Sequence, residues 1–157
     1  MHWDEFEAAA PDLAATARQL LVDADVALLG TLRRDGAPRI SCVQPCILEG
    51  VLYLGMMWRS RKAVDLARDP RLVLRNAICS NTGSEVELSL TGLAVAMTEP
   101  GLRQRYVRAV EKRTTWTEPR FHLFAVEIRG AALVAYVHGE QLVRVWPQGV
   151  ERRRPYS

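Results

Sequence analysis

Residues 51–70 are VLYLGMMWRSRKAVDLARDP. Their first part, Val51 to Met57, is mostly apolar and follows the turn signal Glu49-Gly50, which predicts a β-strand. The alternation is lost from Ser60, a good helix N-cap residue, and a short helix is predicted to stop before Asp69-Pro70. This stretch therefore predicts a strand that runs almost directly into the N-terminus of a helix.

The segments before this stretch predict two more strands. Val26–Arg33 is a mostly apolar run, Asp35-Gly36 is a hairpin turn signal, and Arg39–Leu48 follows as the second strand. With Val51–Met57, they make three consecutive strands joined by short turns. We expect an antiparallel meander.

The segments after the short helix return to strand patterns. Further strands are predicted at Arg71–Ile78, Val86–Met97, Phe121–His138 and Gln141–Trp146. Gly92 indicates a bulge or a close approach, and we expect Arg129-Gly130 to bend or bulge the long strand that contains it.

Two longer helices are predicted outside the strands. Pro11–Ala24 has apolar residues at helical spacing, and a second helix opens at Glu99-Pro100 and runs to about Lys112. We expect the basic residues of this second helix, Arg103, Arg105, Arg108 and Lys112, to face outward. Six or more strands with helices at insertions and at one end favour an α+β fold, mainly an antiparallel β-barrel.

Composition narrows the class of protein. The chain has 157 residues, which at roughly 100 to 200 residues per domain predicts one domain over residues 1–157. Apolar residues make up 48% and charged residues 25%, as in an ordinary globular protein. No apolar run approaches the length of a membrane span, and the N-terminus is acidic where a signal peptide would be basic. We expect a cytoplasmic protein without membrane contact.

The cysteines and histidines do not indicate a metal site. The cysteines are Cys42, Cys46 and Cys79, and the histidines are His2, His122 and His138. An odd number of cysteines without a CxxC pair, all within apolar stretches, predicts buried reduced thiols. The histidines share no metal-ligand spacing, so no protein-bound metal is expected.

Basic residues are predicted to meet at one end of the sheet. The start of the short helix offers unpaired N–H groups, the Ser60 hydroxyl, and the cations of Arg61 and Lys62, all suited to a phosphate. Arg39, on a neighbouring strand, adds a charge near the same place. The alternative is that Ser60 only caps a helix whose basic residues face water.

Three segments resemble one known family. They are Arg39-Ile40-Ser41-Cys42-Val43-Gln44, the run from Leu52 to Ala63, and the run from Leu66 to Leu74. In this order they are similar to the pyridoxamine 5'-phosphate oxidase-like, FMN-binding split-barrel superfamily, over roughly residues 20 to 137. The resemblance implies a six-stranded split β-barrel with peripheral helices.

The resemblance also implies a cofactor site. The residues that it places against FMN are Arg39, Ile40, Ser41, Cys42, Gly55, Met56, Ser60, Arg61 and Lys62. Arg61 and Lys62 match phosphate ligands, and Arg39 is implied to lie near the phosphate. Gly55 and Met56 match contacts to the flavin and its ribityl chain. Trp58 is a further candidate for the flavin pocket, although it also suits a core or a dimer interface.

Two departures set this chain apart from the true oxidases. Glu87 stands where they have a glutamine that reaches the cofactor, and a carboxylate there is unfavourable unless it is protonated or turned away. The C-terminus has Trp146 and the run Arg152-Arg153-Arg154, but it lacks their histidine. We therefore do not expect pyridoxal-phosphate synthesis, and we expect the arginine run to be a solvated tail.

The resemblance implies an FMN-dependent oxidoreductase that moves a hydride between flavin and an unidentified small substrate. No catalytic residue is predicted, since the cofactor supplies the chemistry. Two alternatives stay open: a reductase that uses the deazaflavin coenzyme F-420, and a non-catalytic protein that binds flavin or haem. A homodimer with the cofactor at the subunit interface is implied, and no nucleic-acid motif accompanies the basic residues.

Overall fold

The computed structural model describes residues 1–78, 84–113 and 120–155. Within these ranges the strands are β1 (Ala27–Leu32), β2 (Pro38–Val43), β3 (Pro45–Leu48), β4 (Val51–Met57), β5 (Arg71–Asn76), β6 (Val86–Ala96), β7 (Phe121–Val137), β8 (Glu140–Trp146) and β9 (Val150–Pro155). The helices are α1 (Trp3–Ala9), α2 (Pro11–Ala17), α3 (Arg61–Arg68) and α4 (Pro100–Val110), and a π-helical segment, Arg18–Asp23, follows α2. None of these helices is long and apolar enough to cross a membrane.

All the strands join one antiparallel sheet. Its order is β2-β1-β5-β6-β7-β4-β3, and β8 and β9 extend it from the far half of β7. The two ends of this path, β2 and β3, are consecutive in the chain and are separated only by Gln44. The sheet therefore curls into a barrel whose open seam lies where β2 and β3 part, and the predicted α+β, mainly antiparallel fold is confirmed.

The sheet has nine described strands, whereas seven strand segments were predicted from the sequence and the resemblance implied a six-stranded barrel. The predicted strand Arg39–Leu48 is divided at Gln44, because its first half pairs with β1 and its second half with β4. The prediction of a solvated tail for the arginine run of the C-terminus was also wrong. The run forms part of β9, where Arg152 pairs with Val143 of β8. Its side chains are nevertheless exposed.

The expected bulge lies between β6 and β7. The register passes from Thr91 opposite Gly130 to Gly92 opposite Ile128, so Arg129 is the extra residue. A Cβ on Gly92 would lie 2.4 Å from the Glu127 carbonyl oxygen, a distance that only glycine permits. Both glycine signals are thus confirmed.

Two hydrophobic clusters hold the sheet and its helices together. The larger cluster fills the barrel, where α1 contributes the fully buried Trp3 and Phe6, and Phe6 packs edge-on against Trp146 at 5.1 Å. The smaller cluster lies between α4 and the sheet around Tyr53 and Tyr106. The sequence analysis missed α1, which is only seven residues long, and predicted Pro11–Ala24 as one α-helix rather than α2 followed by a π-helical segment.

Candidate functional site

A cleft opens at the seam, where β2 and β3 separate. Its volume is about 310 Å³. We name it the seam cleft, and the residues that line it are Val26, Cys42, Val43, Gln44, Pro45, Gly55, Met56, Met57, Lys62, Tyr106, Val110 and Arg113. The lining is apolar apart from a few donors, and no described carboxylate borders it, as expected for a site that takes an electron-rich ligand.

Four of the residues implied by the resemblance border this cleft. Cys42 reaches it from the end of β2, Gly55 and Met56 from β4, and Lys62 from the first turn of α3. Met56 is also part of the barrel core and is only 2% exposed. Sequence reasoning therefore brought together residues that lie on three different elements.

The N-terminus of α3 lies beside Lys62 at this cleft. Ser60 occupies the N-cap position, but its side chain makes no capping hydrogen bond. Its hydroxyl oxygen is buried and has no partner among the described residues, and a buried hydroxyl without a partner is uncommon in a complete site. Arg61 follows, exposed and without an ion pair in the part of the chain described. Free amides, an orphaned hydroxyl and two cations fit an anion such as a phosphate.

Lys62 is held in place by the strand opposite. Its Nζ donates to the backbone carbonyl oxygen of Cys42, across the mouth of the cleft. Burial lowers the pKa of Lys62, and proximity to Cys42 acts in the opposite direction. An ammonium has three donors, so two remain for a ligand.

Arg39 is bound to the helix behind the site. Its Nε donates to Asp65 Oδ2 at 2.6 Å, and Thr31 Oγ1 donates to the same oxygen at 3.1 Å. Asp65 is 6% exposed, so this ion pair fastens β2 to α3 inside the protein. The two terminal nitrogens of Arg39 have no partner within the described ranges. Arg39 as a phosphate ligand stays a prediction.

The other implied residues of β2 alternate between the two faces of the strand. Ile40 lies on the outer face and is 73% exposed, while Ser41 shares the half-buried inner face with Arg39. Cys42 is exposed, contrary to the expectation of a buried thiol, because the edge strand turns it outward. Cys46 is buried as expected, and Cys79 lies outside the described residues.

Trp58 lies apart from the seam cleft. Its indole stacks on the His122 imidazole with centroids 4.6 Å apart, at a separate hollow of about 290 Å³. Burial, together with the nearby Arg103 charge, lowers the pKa of His122. Arg103 was expected to face outward, but it lies over the Phe121 ring and donates to the Phe121 carbonyl oxygen at 2.6 Å.

Two residues of the cleft were not assigned from the sequence. Arg113, just beyond α4, donates to the Val22 carbonyl oxygen at 2.7 Å and to Asp25 Oδ1 at 2.8 Å, and so ties the helix to the start of β1. Tyr106 lies on the buried side of α4. It is 3% exposed, and burial raises its pKa to about 12. Neither belongs to a local motif that would have marked it.

Glu87 does not stand as an unpaired carboxylate. Its Oε2 accepts a hydrogen bond from Arg75 Nη2 on the adjacent strand β5. The pair lies on the outer face of the sheet, and its charge is compensated there. Arg75, which lies just beyond the segment that resembles the family, thus compensates the Glu87 charge that was expected to be unfavourable.

The strands and helices together define an antiparallel split barrel, and the N-terminus of α3 lies at its seam. No family model matches the chain, and no curated protein does. Solved structures do match: a conserved hypothetical protein from Mycobacterium tuberculosis has TM-score 0.64 and 22% identity, over 74% of this chain and 81% of that chain. A candidate pyridoxamine 5'-phosphate oxidase from Listeria innocua has TM-score 0.60 and 16% identity, over 76% and 95%.

A haem-binding protein from Mycobacterium smegmatis also matches. Its TM-score is 0.59 at 18% identity, and the alignment covers 90% of this chain but 57% of that chain. At identities this low, the structural similarity shows the fold alone. The chain therefore has the pyridoxamine 5'-phosphate oxidase-like split-barrel fold that the sequence resemblance implied.

Proposed function

We propose that this protein binds FMN and is an oxidoreductase that moves a hydride between the flavin and a small conjugated or heterocyclic substrate. One observation carries the proposal: the N-terminus of α3, with its orphaned Ser60 hydroxyl, opens beside Lys62 at an apolar cleft. A phosphate at the helix start and a flat ring in the cleft would use both features.

Each part of the cofactor has residues suited to it. The phosphate would be held by the first amides of α3, the Ser60 hydroxyl, and the cations of Arg61 and Lys62, with the free nitrogens of Arg39 behind them. The ring would lie against Gly55 and Met56. When bound, FMN supplies two-electron chemistry, and this chain supplies orientation and exclusion of water.

A homodimer with the cofactor at the subunit interface is part of the proposal. The outer face of β2, β1 and β5 carries no helix among the described elements, and it exposes Ile40 at 73% and Val73 at 36%. Gly30, between them, keeps this face flat. An exposed apolar surface next to an edge strand is well suited to cover by a second copy.

FMN titration of the purified protein tests the phosphate site. A charge-assisted contact contributes about 1.5–3 kcal/mol, so Lys62→Ala should weaken FMN affinity by about 10-fold or more. Arg34→Ala is the matched control, because it removes one positive charge from an exposed turn near the C-terminal end of α3, where Arg68 donates to the Leu32 carbonyl oxygen, and not near Ser60. Equal affinities of wild type and Lys62→Ala would contradict the assignment.

The deazaflavin coenzyme F-420 is the alternative cofactor at the same site, since its anionic tail also seeks cations. The absorbance spectrum of the purified protein separates the two: bound FMN is yellow and bleaches on reduction. A colourless protein that binds added F-420 and not FMN would replace our proposal by this alternative.

A non-catalytic flavin or haem carrier is the remaining alternative, and the haem-binding neighbour makes it worth testing. The His122 Nε2 is buried in the Trp58 stack, and the exposed His138 lies in the turn between β7 and β8. Neither is positioned over the seam cleft. Retained flavin without turnover of reduced nicotinamide by any acceptor would favour a carrier.

A further inference from the structure

Tyr106 brings an unused hydrogen-bond donor to the seam cleft. The residue is 3% exposed and borders the cleft from α4. Within residues 1–78, 84–113 and 120–155, no hydrogen bond uses its O–H as the donor. The hydroxyl is not one of the fully buried atoms without a partner, so it opens to the cleft and is available to a ligand there.

The phenol is fixed in position by its neighbours. Its ring packs edge-on against Tyr53 at 6.3 Å and nearly parallel to Phe121 at 6.0 Å. The backbone N–H of Gly55 acts to lower the pKa of Tyr106, against the larger effect of burial, which raises it. This donor near the phenol oxygen directs the hydroxyl proton away from Gly55.

Gly55 makes this arrangement possible. A Cβ at this position would lie 2.4 Å from Tyr106 Oη, so any other residue would displace the phenol. Gly55 pairs with Leu123 on one side, but its other side faces the seam, because β3 starts at Pro45 opposite Leu54.

The hydrogen-bond donors that line the cleft indicate which kind of ligand it can bind. Tyr106, Lys62 and Arg113 all present N–H or O–H groups, and no carboxylate lies among the described lining residues. A flat ring with several carbonyl or imine acceptors at its edge complements such a lining, whereas a cationic or purely hydrocarbon ring does not.

We propose that the Tyr106 hydroxyl donates a hydrogen bond to an acceptor atom on the ring of the bound flavin. This inference rests on the function proposed above, and it adds a ring contact from α4 to the phosphate contacts of α3. Tyr106 is thereby a cofactor-binding residue that determines which rings the cleft accepts.

Flavin fluorescence titrations with FMN and riboflavin test it, because riboflavin carries the same ring without the phosphate. Tyr106→Phe keeps the ring packing and removes only the hydroxyl, so it should weaken both ligands to the same extent, about 3- to 10-fold. It should also shift the absorbance band of the bound flavin. Tyr53→Phe is the matched control, since Tyr53 lies in the same cluster but not at the cleft, and it should change neither.

Lys62→Ala separates this inference from the phosphate assignment. It should weaken FMN and leave riboflavin unchanged, and an equal affinity of wild type and Lys62→Ala for FMN would overturn the phosphate site alone. Unchanged riboflavin affinity and spectrum in Tyr106→Phe would overturn the ring contact, as would a wild-type protein that binds no riboflavin.

Discussion

The ion pair between Arg39 and Asp65 should be a principal stabiliser of the seam. Asp65 is 6% exposed, and its Oδ2 accepts hydrogen bonds from Arg39 Nε at 2.6 Å and Thr31 Oγ1 at 3.1 Å. Asp65→Ala removes the acceptor of both donors. It leaves a half-buried guanidinium without its anion and a hydroxyl, 3% exposed, without a partner.

The expected cost follows from these two losses. Removing one partner of a buried ion pair costs about 3–5 kcal/mol, but the Arg39 side chain is 24% exposed and water recovers part of that. With the orphaned Thr31 hydroxyl, we expect the free energy of unfolding to fall by about 2–4 kcal/mol. For a domain of this size the melting temperature should fall by about 5–12 °C.

Urea unfolding followed by tryptophan fluorescence measures this change. Thr31→Val, which removes only the neutral hydrogen bond, should cost about 1 kcal/mol. The double variant Arg39→Leu with Asp65→Leu should be more stable than Asp65→Ala, because it buries no unpaired charge. A loss below about 0.5 kcal/mol in Asp65→Ala, or a double variant no more stable than it, would refute the assignment of a buried pair.

Three further predictions follow from the cleft and from the exposed face. The pKa of Tyr106 is raised to about 12, so the folded state holds this proton more tightly than the unfolded state. The free energy of unfolding should therefore fall between about pH 10 and pH 12, by at most about 2–3 kcal/mol. Urea unfolding of Tyr106→Phe should lack this loss. Parallel curves for both proteins would contradict it. Because burial lowers the pKa of Lys62, rising pH should reduce FMN affinity earlier in wild type than in Lys62→Arg; coincident fluorescence titrations would argue against this. Ile40→Glu places a charge on the apolar outer face and should convert a dimer to monomers in sedimentation velocity, whereas an unchanged sedimentation coefficient would exclude this face as the interface.

The fold was predictable wherever local patterns agreed with the final pairing. The β1–β2 and β3–β4 hairpins, the bulge at Gly92 and the short helix α3 all have signals within a few residues. The expected three-stranded meander is wrong, because the two hairpins lie toward opposite ends of the sheet. The division at Gln44 has one local signal, Pro45, because a proline lacks the N–H of a strand interior and is found at strand starts. The apolar pattern hides this signal, since Val43 and Pro45 are both buried. The pairing of β2 with β1 and of β3 with β4 is seen only in the structure.

The residues of the candidate site also fall into those that the local sequence predicts and those that only the packing reveals. Ser60, Arg61 and Lys62 are adjacent in the chain, so a motif reveals them. Tyr106 and Arg113 reach the cleft only through the packing of α4 on the sheet, and nothing in their local sequence distinguishes them from neighbouring surface residues. Trp58 shows the opposite error, since it is close to the motif in sequence but stacks on His122 at another hollow.

The location of the site follows from how the barrel is made. The chain has to pass from β2, at one end of the sheet path, to β3, at the other end, and the two strands diverge where it does so. The hydrogen-bonding edge of β4 is consequently left without a strand neighbour beyond Leu54, at Gly55. Because α3 must start where β4 ends, its positive N-terminus lies at that same gap. An apolar cleft and a helix N-terminus suited to an anion thus arise together from the topology, and the side chains around the cleft would determine which ligand binds.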